Sequence, residues 1–486
     1  MTTYLGIDLG TSSSKVIIID ENQTILASSS RPMDVSRPHS GWSEQEPGDW
    51  IGATTASIDE LKANHAALLA RVRGIGLSGH MHGATLLDKH DRALRPCILW
   101  NDTRSHAEAH ELDSHPLFRQ LTGNIVFPGF TAPKLLWVAR NEPGIFANIR
   151  WVLLPKDYLR HWLTGEHASE MSDAAGTSWL DTGKRVWDSR LLAATGLGLE
   201  HMPNLVEGTD VSGTLRPELA ARWGMGQGVV VAGGAGDNAA SACGIGAVAP
   251  GTAFVSLGTS GVLFASNERY LPNPDSAVHA FCHAVPNTWH QMGVILSATD
   301  SLNWLANLTG RDAAALTGSL GRELKRPGPV TFLPYLSGER TPHNDAVIRG
   351  AFTGLGHECD ATALTKAVVE GVAFAVRDSL EALRSAGTEL GRVSAVGGGS
   401  RSDYWLKVIA TTLGMPVDIP AEGDFGAAFG AARLGLIAAE SADPFLICQP
   451  PVTERTIEPD AALTDAFSNA YQAYRNHYPA IKGVQQ

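Results

Sequence analysis

The first thirty residues alternate between apolar runs and small polar turns. TYLGID (3–8) and KVIIID (15–20) are apolar runs of strand length separated by LGTSSS, and a second turn at Asp20–Gln23 leads into TILASS. β-Branched runs bounded by Gly, Ser and Asn predict an antiparallel meander of three strands. The period then changes: over residues 50–72, Ile51, Ile58, Leu61 and Leu68 recur at helical spacing. RGIGLSGHM and ALRPCILW read as buried strands. KLLWVARN (134–141) and DYLRHWLTG (157–165) read as helices, the second ended by Gly165.

The second half opens in the same way. TAFVSLGTSGVLFAS (252–266) repeats the strand–LGTS–strand pattern, and Leu257–Ser260 is identical to Leu9–Ser12 at an offset of 248 residues. That offset is close to half of the 486-residue chain, which predicts an internal duplication. Further on, 393–420 reads as strand, glycine loop, helix and strand. GDFGAAFGAARLGLIAA (423–439) reads as a helix of small residues that packs closely against a neighbour. The pattern predicts two related α/β domains, 1–246 and 247–486, whose hairpin tips can face each other across a cleft.

Composition narrows the class. With 44% hydrophobic residues the chain is globular, and its net charge of −12 is spread without a basic block. This argues against a nucleic-acid or membrane partner but leaves room for a local phosphate pocket. Cys97, Cys243, Cys282, Cys359 and Cys448 are far apart and form no CxxC pair, so reduced thiols are expected. The N-terminus has no signal-peptide pattern, and no stretch reaches the ~20 apolar residues of a membrane span. A cytoplasmic protein acting on small molecules is expected, and assembly as a homodimer is compatible with the sequence.

Three turns carry phosphate-binding chemistry. In DLGTSSSK, Gly10 permits a sharp turn, Thr11, Ser12 and Ser13 offer hydroxyls, and Lys15 offers charge. Serines that bond their own hairpin backbone would explain the same residues without a ligand. The second LGTS (Gly258, Thr259) and VGGGSRS at 396–402 strengthen the nucleotide reading. Asp8, beside the first turn, suits Mg²⁺, although a capping role would also account for it.

Between Trp223 and Asn267 the only charged residue is Asp237, in a chain that is 18% charged overall. A helix N-cap would explain an Asp there, but not the absence of charge on both sides. Desolvation would raise its pKa while nearby Mg²⁺ and Lys would lower it, so the net direction stays open. His80 and His82 lack an evident third ligand for a metal, and hydrogen bonding near a substrate suits them better. HSGWSEQEPGDW (39–50) reads as a surface loop or as a packing segment.

At these residues the sequence resembles the FGGY carbohydrate kinases, and within them those that phosphorylate xylulose. The motifs that carry the resemblance run in order over most of the chain: GIDLGTSSSK (6–15), SGHMHGATLLD (78–88), ILWNDTRS (98–105), GFTAPKLLWV (129–138), LLPKDYLR (153–160), SDAAGTSWLD (172–181), AGGAGDNAAS (232–241), SLGTSGV (256–262), FLPYLSGERTPH (332–343) and AVGGGSRSDYW (395–405).

The resemblance implies an α/β protein of two actin/hexokinase-like (ribonuclease H-like) ATPase domains with the active site between them. It implies ATP-dependent, Mg²⁺-assisted phosphorylation of D-xylulose to D-xylulose 5-phosphate. Asp237 is then the catalytic base and Asp8 the carboxylate that organises Mg²⁺. Thr11, Ser12, Ser13, Lys15, Gly258 and Thr259 match the phosphate loops, while Gly398, Gly399, Ser402, Thr299 and Asn303 fall at the adenosine end. Met81, His82 and Asn238 match sugar contacts, with Trp100 as an apolar wall. His80 departs from the Gln often found at that position. The alternatives are a family member acting on another ketose, polyol or sugar acid, or a non-catalytic actin-like nucleotide sensor.

Overall fold

A computed structural model of the chain describes residues 1–421, 423 and 425–485. The predicted meander is present as Thr3–Leu9, Ser13–Asp20 and Ile25–Pro32, in antiparallel register with Asp8 opposite Lys15. On its other edge, Thr3–Leu9 pairs in parallel with Val72–Gly79, which pairs in parallel with Val230–Ala232 and with the short strand Ala235–Gly236. Val211–Thr214 closes this seven-stranded sheet.

The second sheet repeats the plan. Ala253–Leu257, Gly261–Asn267 and Trp289–Ile295 form the meander, extended by His279–Cys282. Val393–Val396 and Val417–Pro420 follow in parallel, and Thr453–Ile457 closes the sheet antiparallel. The duplication suggested by one tetrapeptide therefore extends to the strand order of both sheets, the two-domain α/β plan expected of an actin/hexokinase-like fold. Within each sheet, the parallel strands end on the side where the hairpin tip lies, the usual location of ligands in such sheets.

Helix Ala427–Glu440 is the small-residue helix, and its neighbours are the first sheet and helix Asp237–Ile245. A Cβ added at Gly76 would lie 1.7 Å from the Ala431 carbonyl oxygen, and one at Gly430 would lie 1.7 Å from that of Ala240. Backbone thus packs on backbone along both sides of this helix. A segment late in the sequence thereby covers the sheet built by the first residues.

Some local expectations are corrected. The helix expected over 50–72 spans Pro47–Leu69, because Pro47 sits in its first turn and Val72 already starts the next strand. ALRPCILW contributes only the two-residue strand Cys97–Ile98. The 39–50 segment is not a simple surface loop. Arg104 lies 3.5 Å over the Trp42 ring, and Glu44 is buried against Arg95 and Arg104. Among the described residues no helix is long and apolar enough to cross a membrane.

Candidate active site

Asp8, the penultimate residue of its strand, accepts a hydrogen bond from Ser78 Oγ at 2.9 Å. Ser78 pairs with Asp8 on one side and with Ala235 on the other, so the strand ends bring Asp237 beside Asp8. Asp237 is the first residue of its helix and Gly236 is the cap, so capping does not account for Asp237. Its Oδ1 accepts from the Asn238 backbone N–H at 2.7 Å and from Asn238 Nδ2 at 3.0 Å. Desolvation first, and the charge of Asp8 second, raise the Asp237 carboxyl to about 6. The direction left open by the sequence is therefore upward in the ligand-free protein. The turn before it is held by Ser172 Oγ, which accepts from Gly236 N–H at 3.1 Å.

Met81 and His82 follow the Val72–Gly79 strand. Met81 is buried against Gly236 and Gly176. His82 adopts a left-handed φ of 69°, and among the described residues no third His, Cys, Asp or Glu joins it and His80 in a group that could hold a metal. Its ring stacks on Phe130 at 4.4 Å, and its Nδ1 lies 2.7 Å from the Gly176 carbonyl oxygen. Burial and the nearby Lys134 ammonium push its pKa down to about 3. A neutral imidazole facing a carbonyl must donate from Nδ1, which leaves Nε2 as an acceptor for a hydroxyl. Lys134 and Thr131 both donate to the His82 carbonyl, which fixes the turn. Replacing His82 with Leu is expected to raise the sugar KM about tenfold or more while leaving the ATP KM near its starting value, as steady-state kinetics would show.

The first hairpin is held from outside. Gly10 N–H donates to the Ser13 carbonyl, so it is engaged within the turn. Gln45 Nε2 donates to the Thr11 carbonyl at 2.7 Å, and Met33 N–H donates to the Ser12 carbonyl at 2.8 Å. Trp100, 49% exposed, donates its indole N–H to Thr11 Oγ1 at 3.0 Å, so its ring lies over the hairpin. Lys15 faces the same side as Asp8 through their cross-strand pairing.

The second hairpin is tied to the adenosine-end residues. Thr299, the first residue of helix Thr299–Thr309, donates both its N–H and its hydroxyl to the Gly258 carbonyl. The carbonyl of the exposed Thr259 accepts from Ala298 N–H at 2.8 Å. Gly397, at a left-handed φ of 89°, starts the glycine turn; Gly399 tucks beside Leu257 and Thr299, while Gly398 faces open space. Ser402 caps helix Asp403–Leu413, accepting from Trp405 N–H.

A cavity of about 780 Å³ runs from Asn238 and Ser241 on the Asp237 helix to Gly397, Ser400 and Arg401. Its size suits a nucleotide. Thr299, Asn303, Gly398, Gly399 and Ser402 are not among its lining residues, and neither is Asp237, whose neighbour Asn238 is. The sequence reading assigns no role to Gln45, Ser172, Phe130 and Lys134, and includes Ser400 and Arg401 only as part of the 396–402 turn. Phe130, Lys134 and Ser172 lie in motifs that carry the resemblance, which is a usable signal. The Ser172 contact spans 64 residues of sequence, and Gln45 acts through a contact 34 residues distant that no motif announces. The second domain also reaches the His82 end: Phe281 lies 6.1 Å from Phe130, and Arg340 sits over Phe127 at 4.2 Å beside His279.

Comparison with known proteins gives the family and the fold. Residues 3–244 match the N-terminal domain, and residues 253–439 the C-terminal domain, of the FGGY family of carbohydrate kinases. The chain is 48% identical to the xylulose kinase of Escherichia coli (strain K12) over 481 residues, covering 98% of this chain and 99% of that one. The crystal structure of a xyloylose kinase from Brucella ovis superposes with a TM-score of 0.98 at 66% identity, over 99% of this chain and 100% of that chain. Plasmodium falciparum glycerol kinase with ADP shares the fold, with a TM-score of 0.89 at 18% identity over 98% of each chain.

Proposed function

This chain belongs to the FGGY family of carbohydrate kinases, and from that membership we propose that it transfers the γ-phosphoryl group of ATP to D-xylulose. The products are D-xylulose 5-phosphate and ADP. The substrate follows the names of its full-length relatives, 48% and 66% identical. The observation that carries the chemistry is Asp237: a partly desolvated carboxylate beside Asp8, next in sequence to Asn238, which lines a nucleotide-sized cleft.

In this reading Met81, His82 and Asn238 hold the sugar, with His82 Nε2 accepting from one of its hydroxyls and Trp100 walling the hairpin side. Asp237 takes the proton of the 5-hydroxyl as that oxygen bonds to the γ-phosphorus. The bond from the γ-phosphorus to the β–γ bridging oxygen breaks, and ADP leaves. Catalysis rests on alignment and charge neutralisation rather than on a covalent intermediate. Thr11, Ser12, Ser13 and Lys15 on one side, and Gly258 and Thr259 on the other, surround the phosphates. Thr299 braces the second hairpin, while Gly398, Gly399, Ser402 and Asn303 shape the adenosine end. Asp8 is the residue that would hold Mg²⁺; its oxygen chemistry and its position beside the clustered donors fit that ion. When bound, Mg²⁺ neutralises phosphate charge. The two units then close on their substrates and exclude water.

Because the base must be ionised, kcat/KM for the sugar should fall about tenfold per pH unit on the acid side of Asp237's pKa. That pKa is about 6 in the free protein. His82, already neutral there, adds no limb of its own. A pH profile at subsaturating sugar checks this. A coupled ADP-release assay across D-xylulose, L-xylulose, D-ribulose, L-ribulose, glycerol and gluconate tests the substrate. The highest kcat/KM is expected for D-xylulose; a higher value for another acceptor would move the assignment to that sugar.

A further inference from the structure

Outside the cleft, Asp91, His161 and His167 converge from three separate elements. Asp91 lies in a tight turn at a left-handed φ of 61°, its N–H donating to the Asp88 carbonyl. His161 occupies the last turn of helix Pro155–Thr164, and His167 immediately precedes the strand Ala168–Glu170. One ligand atom from each residue lies within 4.8 Å of the other two, and among the described residues no other group of three or more His, Cys, Asp or Glu does so.

We propose that these three side chains bind a late first-row divalent transition ion of the Zn²⁺ class, with water completing the shell. Asp91 Oδ1 is 2.8 Å from His167 Nε2, and Asp91 Oδ2 is 3.6 Å from His161 Nε2. Ligand atoms about 2.0–2.1 Å from a tetrahedral ion stand roughly 3.3 Å apart; the two carboxylate–imidazole spacings bracket that value, and the ligand atoms of the two histidines lie within 4.8 Å of each other. Both Nε2 atoms face Asp91, and because the two imidazoles stack at 4.3 Å with a 26° tilt, one ring has to rotate for both in-plane lone pairs to meet at the ion. Trp151 stacks on His167 at 4.3 Å and holds its plane. Asp91 is 39% exposed and His167 20%, so an ion can enter from solvent. Two imidazoles and one carboxylate suit Zn²⁺, Co²⁺ or Ni²⁺, whereas Mg²⁺ prefers an all-oxygen shell. The nearby cations are Arg216, bonded to the His161 carbonyl, and Arg150, over Trp151. They oppose binding and point to moderate affinity.

Such an ion would clamp the end of a helix that also carries Lys156, Asp157 and Arg160. These form a fully buried ion-pair network with Glu170 and Asp173, next to the Ser172 that holds the Asp237 turn. The role assigned is a staple, not a part in phosphoryl transfer.

The test titrates chelator-treated full-length protein with ZnCl₂ by calorimetry, in excess Mg²⁺ and without nucleotide. One Zn²⁺ per chain and a raised melting temperature are expected. His167→Ala and Asp91→Asn, both on the solvent side, are each expected to weaken that binding at least about tenfold while keeping the sugar-kinase rate measured with Mg-ATP. Absence of Zn²⁺ binding by the unchanged chain, retention of full affinity by either variant, or displacement of the ion by Mg-ATP would overturn the proposal.

Discussion

Asp237→Asn is expected to lose about 10²–10⁴ in kcat and, at the same time, to make the protein more stable above pH 6. The catalytic half follows from removing the proton acceptor while keeping the shape and the Asn238 contact. The stability half follows from linkage. The folded carboxyl ionises at about 6 against an ordinary 3.8, so the unfolded chain releases that proton more readily. Ionised Asp237 therefore destabilises the fold, fully above pH 6 and not at all below about pH 4. Allowing for its partial exposure to water, the variant should gain about 1–2 kcal/mol at pH 8. The gain should vanish at pH 4. Urea unfolding of both proteins at the two pH values measures it. Near-normal turnover would remove the base assignment, and equal stabilities at pH 8 would remove the desolvation argument behind the acid limb.

Gly430→Ala is expected to damage stability and activity together. Its new methyl would meet the Ala240 carbonyl oxygen at 1.7 Å and the Gly244 nitrogen at 2.9 Å. Neither is the movable end of a side chain. Helix Ala427–Glu440 cannot back away, because on its other side the Ala431 carbonyl abuts Gly76. Overpacking between backbones should cost about 3 kcal/mol or more, a fall in Tm of about 6–12 °C. The helix pushed aside is the one that begins with Asp237, and a shift of about 1 Å in a reacting group can cost 10²-fold in rate. Gly226→Ala, where an added Cβ meets nothing within 4 Å, is the matched control and should change neither. Calorimetry and initial rates on the two variants decide the matter. An unchanged Tm in Gly430→Ala would mean that the two helices are not in backbone contact.

These two results rest on features of different legibility. The hairpins could be read from sequence because strand, turn and strand are local, and their repetition at 248 residues exposed the duplication. Asp237 could be read because charge was absent around it. The tight packing of 427–440 was visible in its small residues, but its partner was not, since the contact spans most of the chain. The expected helix overruns the observed end at Leu69 because buried Val72, Ile75 and Leu77 continue its apolar character without a break. Ser172 and Gln45 look like ordinary polar residues until the fold sets them under the two turns they hold. The direction of the Asp237 shift was likewise undecidable from sequence, since it depends on how much water reaches the carboxylate and on the nearness of Asp8.

The most direct measurement identifies the product. Purified protein is incubated with Mg-ATP and D-xylulose, and the mixture is followed by ³¹P NMR. A new phosphomonoester coupled to the C5 methylene, formed mole for mole with ADP and absent with Asp237→Asn, is the result expected. ADP accompanied only by inorganic phosphate, at a rate indifferent to the sugar, would contradict the assignment.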